Sequence, residues 1–306
     1  MYSALIAAMA AAVLGGAPRD AAVVSLSQEG GDSPTVLNDV EVRAGELQAR
    51  AENFVASVAA LPRNMTLGRW SDEVCVGVAN ATPGAAQYVI DRVSSLALDL
   101  GLRVGQPGCR ADIMIVFADD ASAVAQKMVR DNPQRFQPPG VLATLGGSAL
   151  EVFQGRERPV RWWNVSLPVE ADTGISPVVM TIGQHGSGFE VPTLHVRSMS
   201  RLRSGLRNDL KSSIVIVDAS RLNGRSLASV TDYVALVALA QVNPDVDVAG
   251  QDSILTLFDE RPAADRLTEW DMSYLRALYS TDRDRRNPSH EQRELGRVMV
   301  LSYAGR

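Results

Sequence analysis

A chain of 306 residues, 46% hydrophobic and 21% charged, carries enough apolar material for a real core in one large domain or two smaller ones, and its composition excludes disorder. A net charge of −5, with lysine only at Lys127 and Lys211, supplies no basic surface of the kind nucleic acid requires. Two cysteines and three widely spaced histidines (His185, His195, His290) exclude a finger-type zinc site.

In chain order, the first predicted element is an apolar run, Ala4–Leu14, of the length of a secretory h-region and too short to span a bilayer. Small residues follow at Gly15, Gly16 and Ala17, while the basic n-region is missing. The expectation is a signal peptide over residues 1–22 and a periplasmic or secreted protein; the competing reading is an Ala-rich N-terminal helix. Residues 23–66 read as a linker and N-terminal segment. Gln28–Asp39 is polar and turn-rich, Val40–Val42 is strand-like, and Glu46–Ala60 is helical before Pro62.

From residue 67 the signals become regular, and residues 67–306 are expected to form one domain. Val74–Ala79 reads as a strand. Thr82 is a natural N-cap with Pro83 behind it, and Ala86, Val89, Val93, Leu96 and Leu100 trace one helical face before Gly101. Asp112–Ala118 is a buried strand, and Asp120 caps a helix running to about Arg130. This is a βαβ unit over residues 74–118, which makes its two strands parallel and adjacent. Cys75 then lies at the start of one strand and Cys109 just ahead of the next, at the same end of the sheet. A Cys75–Cys109 disulfide follows if the chain is exported, and two buried thiols if it is not.

In Pro159–Pro168 a strand carries Arg161, Trp162 and Trp163 together, a candidate surface platform for binding; the alternative has one Trp in the core. Arg197, Arg201, Arg203 and Arg207 read as a basic helical segment with a solvated face. GQHGSG (Gly183–Gly188) sets His185 beside Ser187 but lacks the G-x-S-x-G elbow of a serine hydrolase. No Walker loop and no G-x-G-x-x-G follows the first strand. Asp245, Asp247 and Gly250 match three positions of a calcium loop, which then fails at Ala249 and Thr256, so it reads as a solvated acidic loop.

The most informative stretch is Ser212–Pro244. An apolar strand, Ser212–Asp218, leads through Arg221–Gly224 into a helical run whose Val234–Ala240 is apolar on every side. A zincin metallopeptidase carries its H-E-x-x-H on such a strand–turn–buried-helix layout, and here those positions read Asp232, Tyr233 and Leu236.

Arg69–Val78, Pro107–Ala118, Arg158–Pro168, Asp232–Asn243 and Ile254–Tyr279 together resemble a family of exported alphaproteobacterial proteins. More remotely, the second half is similar to a zincin-like domain with E-E-x-x-Q in place of H-E-x-x-H. Asp232 and Tyr233 fall on its two acidic positions and Leu236 on its Gln. Ser253–Asp259 and Leu267–Tyr279 match its downstream segments. The resemblance implies an α+β fold with a mixed β-sheet and packed helices, zincin-like but degenerate. Zinc hydrolysis needs two imidazoles one turn apart and a Glu base. Asp232 could ligate, Leu236 cannot, and Tyr233 replaces a base poorly. The expectation is therefore a non-catalytic binding or accessory factor of the cell envelope, without metal or cofactor, whose unknown partner is an envelope protein or peptide. The rival is a hydrolase of another class using Asp119, Asp120, Asp252 or Arg161.

Overall fold

The computed structural model describes residues 36–62, 65–138, 144–182, 189–194, 203–283 and 287–305. The expected signal segment, His185, Ser187, His195, Arg197 and Arg201 lie outside the described residues. The chain runs α1 (Val36–Val58), β1 (Glu73–Val74), β2 (Val76–Ala79), α2 (Pro83–Asp99), β3 (Arg103–Val104), β4 (Ile113–Ala118), α3 (Ala121–Asp131), α4 (Pro133–Phe136) and α5 (Gly147–Gly155). It continues with β5 (Val160–Glu170), β6 (Val178–Ile182), β7 (Phe189–Thr193), β8 (Leu206–Asp218), α6 (Leu227–Leu239), α7 (Glu269–Ser280) and α8 (Pro288–Ala304).

The result is an α+β architecture around a mixed four-stranded sheet of order β2-β4-β8-β5. The first three strands are parallel, in the register Val76↔Ile113 and Ile113↔Ser213, and β5 runs antiparallel to β8 at the edge. The two-residue β1 and β3 pair in parallel just ahead of β2, and β6 and β7 form a separate hairpin. Alternate side chains of the sheet serve two cores. Ile113, Ile115, Val215, Val217, Val160 and Trp162 pack beneath α2 and α6, in a cluster that extends to α1, α7 and α8. Val116, Ile214, Ile216, Trp163 and Val165 face α3, α4 and α5. Because both faces are covered, Ile214–Val217 of β8 is an unbroken buried apolar run.

The βαβ unit has the local causes read from the sequence. Thr82 Oγ1 accepts from Ala85 N at 3.4 Å with Pro83 opening α2, and Asp120 Oδ1 accepts from Ala123 N at 2.9 Å to open α3. Cys75 and Cys109 form a disulfide with Cα atoms 6.0 Å apart. Gly105 lies so close that a Cβ there would meet Cys109 Sγ at 2.7 Å, so no side chain fits beside the bridge. The bridge spans 34 residues. Replacing both cysteines with alanine should lower the free energy of unfolding by about 3–4 kcal/mol. Urea titration checks the size, and non-reducing peptide mapping should find the two peptides joined.

Three sequence expectations need correcting. Val40–Val42 lies inside α1, not in a strand, because helix context overrides the β-branched preference of its two valines. The polar stretch Gln28–Asp39, read as linker, already enters α1 at Val36, while the helix expected at Glu46–Ala60 falls largely within α1, whose Ala51, Phe54, Val55 and Val58 are buried in the main core against α7 and α8. A Cβ on Gly296 of α8 would meet Glu52 Cγ at 2.8 Å, so the two helices touch backbone to backbone. Arg207 belongs to β8, not to a basic helix; it spends its guanidinium on Asp209 and on the carbonyl of Ala171.

Candidate functional site

The candidate site is the middle of α6. Asp218 ends β8 and accepts from Ser220 N and Oγ. Asn223 and Gly224 then turn the chain with φ of 49° and 73°, the left-handed conformation that Asn and Gly tolerate best. Ser226 caps α6 by accepting from Ser229 N at 3.1 Å. Every residue from Ser229 to Leu239 is buried, as a helix apolar on all sides requires.

Asp232 is the one charged residue in that buried run, and both of its oxygens are occupied. Oδ1 accepts from Arg92 Nε of α2 at 2.7 Å. Oδ2 accepts from Arg266 Nε at 2.7 Å and from Leu267 N at 3.1 Å. Burial pushes this carboxyl up, but the three donors outweigh it and hold the group below the ordinary carboxylate range. One carboxylate thus ties together α2, α6 and the segment that enters α7. Tyr233 packs edge-on against Trp162 and Phe258, with ring centroids 6.0 and 5.2 Å away. Burial drives its phenol far above the usual value, so the hydroxyl stays protonated and is no base. Leu236 is fully buried in the core and presents no donor atom.

The two downstream segments of the resemblance meet in space. Ser253 Oγ donates to Asp271 Oδ1 at 2.5 Å, and Ile254 N donates to Oδ2 at 2.8 Å. Thr268 and Asp271 form a capping box at the start of α7. The T-x-x-D spacing in Thr268–Asp271 is a sequence signal for that cap. Burial pushes the Asp271 carboxyl up to about 6, against the pull of these donors. Arg92 and Arg266, the partners of Asp232, carried no sequence signal at all.

Arg161, Trp162 and Trp163 do not form a surface platform. All three are buried, because β5 is covered on both faces. Arg161 donates to the carbonyls of Phe153 and Gln154 at the C-terminal end of α5, and to Ser122 Oγ. A cation there satisfies carbonyls that have no partner within their helix. The two indoles point to opposite sides of β5, Trp162 donating to the carbonyl of Val242 and Trp163 to that of Phe136, each at 2.9 Å.

In the rival set, Asp120 and Arg161 have structural partners. Asp120 is spent on capping α3, Arg161 on α5, and Asp252 contributes its main-chain carbonyl to Thr268 Oγ1. Asp119 stands exposed at the end of β4. Asp245, at the head of the acidic loop, pairs with Arg156 and Arg158. Among the described residues, no group of three or more His, Cys, Asp or Glu side chains could hold a metal ion. None of their helices is long and apolar enough to cross a membrane.

No protein-family model matches the chain, and neither a curated protein nor a solved structure is significantly similar to it.

Proposed function

We propose that the protein is an exported, non-catalytic binding or accessory factor of the cell envelope, built on a degenerate zincin-like scaffold. The observation that carries this reading is the commitment of α6. Both oxygens of Asp232 are held by Arg92, Arg266 and the Leu267 amide, and the Leu236 position has nothing to offer a cation. A hydrolytic zinc needs its ligands deprotonated and free to converge, with one coordination position left open. Here the carboxylate is an ion-pair hub and the next helical turn is core. The order of β8, turn and buried α6 supports the scaffold, and the Cys75–Cys109 bridge supports an oxidising compartment.

The purified chain should contain no stoichiometric zinc by elemental analysis, and a broad peptide library should show no chelator-sensitive cleavage. Asp232→Asn should lower stability, because it leaves two arginines without their counter-charge, and should change no hydrolytic rate. Zinc at one equivalent, or a chelator-sensitive activity abolished by Asp232→Asn, would overturn the reading.

A further inference from the structure

The structure assigns a self-modification site to the turn between β8 and α6. Asn223 deamidates through a succinimide formed with Gly224, and the isoaspartyl product loosens the turn that feeds α6. The reaction needs no ligand and stands apart from the binding-factor reading.

Asn223 and Gly224 make up the one Asn-Gly pair in the chain. Both residues are exposed, with φ of 49° and 73°, and Arg225 N donates to Leu222 O at 2.9 Å to close the turn around them. Positive φ at both central positions is the pattern of a type I′ turn, in which Asn-Gly is the preferred pair. The turn thus accounts for these two residues, and it leaves both reacting groups free. Neither the Asn223 carboxamide nor the Gly224 amide has a hydrogen-bond partner among the described residues.

The chemistry follows from that pairing. Gly224 N, deprotonated, attacks Asn223 Cγ. The N–Cγ bond forms, the Cγ–Nδ2 bond breaks, and Nδ2 leaves as ammonia with the proton that Gly224 N gave up. The five-membered succinimide then takes up one water. Opening at the new Cγ–N bond gives aspartate. Opening at the original C–N bond gives isoaspartate, whose main chain runs through Cβ and Cγ. A following residue with a Cβ crowds the attacking nitrogen, and glycine does not. Attack requires Asn223 to swing about its Cα–C bond and the turn's closing bond to open. At an exposed tip such an opening costs little.

Asn80 is the control built into the fold. It is also exposed, with φ of 58°, but Ala81 follows it. The product at Asn223 matters because of what comes next in the chain. Isoaspartate adds one main-chain atom between Leu222 and Arg225, so the bond that closes the turn loses its register. Ser226, the cap of α6, is the next residue. Conversion therefore loosens the entry to the helix that carries Asp232.

Full-length protein is held at alkaline pH and sampled over days, both folded and in urea. Mass spectrometry follows the peptides that hold Asn223 and Asn80. In the folded protein the Asn223 peptide should gain about 1 Da and split into isoaspartyl and aspartyl forms, while Asn80 stays intact. The rate should rise with pH, because the attacking nitrogen is the deprotonated one. The isoaspartyl fraction should melt below fresh protein. Asn223→Asp adds the charge without the extra atom and should melt with fresh protein, since Asp tolerates the left-handed conformation. An Asn223 still intact in the folded protein after the urea-unfolded chain has converted would overturn the site, as would equal conversion of Asn80. An isoaspartyl fraction as stable as fresh protein would overturn its effect on α6.

Discussion

Leu236→Ala should cost about 2–5 kcal/mol of stability, read as a fall in the urea midpoint at unchanged slope. The side chain is fully buried within a helix that is itself buried on all sides. Neighbouring elements pack on it from the sheet and from the outer helices, so the cavity left by truncation has little room to collapse. The control is Leu98→Ala. Leu98 lies on α2 and is 58% exposed, and its loss should stay within about 0.5 kcal/mol. A loss below about 1 kcal/mol at Leu236 would mean that this turn of α6 is not core, and the case against a site there would lose its footing.

The second large effect belongs to a buried ion pair. Arg69 Nη2 and Glu291 Oε1 lie 2.6 Å apart, each side chain 1% exposed. Arg69 also donates to the carbonyl of Thr281, and Glu291 accepts from Leu67 N at 2.9 Å. Burial outweighs Arg69 and holds the Glu291 carboxyl above its ordinary value, which shows how much water this charge has given up. Glu291→Gln keeps the shape but strands a guanidinium in the interior, at an expected cost of about 3–5 kcal/mol. Arg69→Met together with Glu291→Leu should recover a large part of that loss, since no uncompensated charge remains. A double-mutant cycle by chemical denaturation checks both statements, and additive losses would show that the two side chains do not act as a pair.

What the sequence made legible was local. Thr82 and Pro83 name the start of α2, Asp120 names the start of α3, and seven apolar residues in a row name a buried α6. The Cys75–Cys109 bridge was readable because strand–helix–strand topology is stereotyped, which turns two distant positions into neighbours. The illegible part was tertiary. Asp232 finds Arg92 across 140 residues, and no periodicity encodes that meeting. Trp162 and Trp163 look alike in sequence, yet alternation along β5 sends one to each core. The strand-like Val40–Val42 joined α1 because a long helix with an apolar stripe outweighs two valines of opposite preference.

The pairing of α1 with α8 has a consequence for the order of folding. Phe54 packs edge-on against Trp270 and Tyr274 of α7, and Glu52 lies against Gly296 of α8. The first described helix therefore meets its cover only in the last two. While the chain is being made, Phe54 waits for Trp270 and Tyr274 of α7, and the end of α1 waits for the Gln241–Asn243 segment that bonds to it. Contacts of such separation form late and slowly, and an apolar helix left waiting is a target for chaperones and for aggregation. The β2–α2–β4 unit can assemble from neighbouring pieces, whereas this shell closes only when α1 meets α7 and α8.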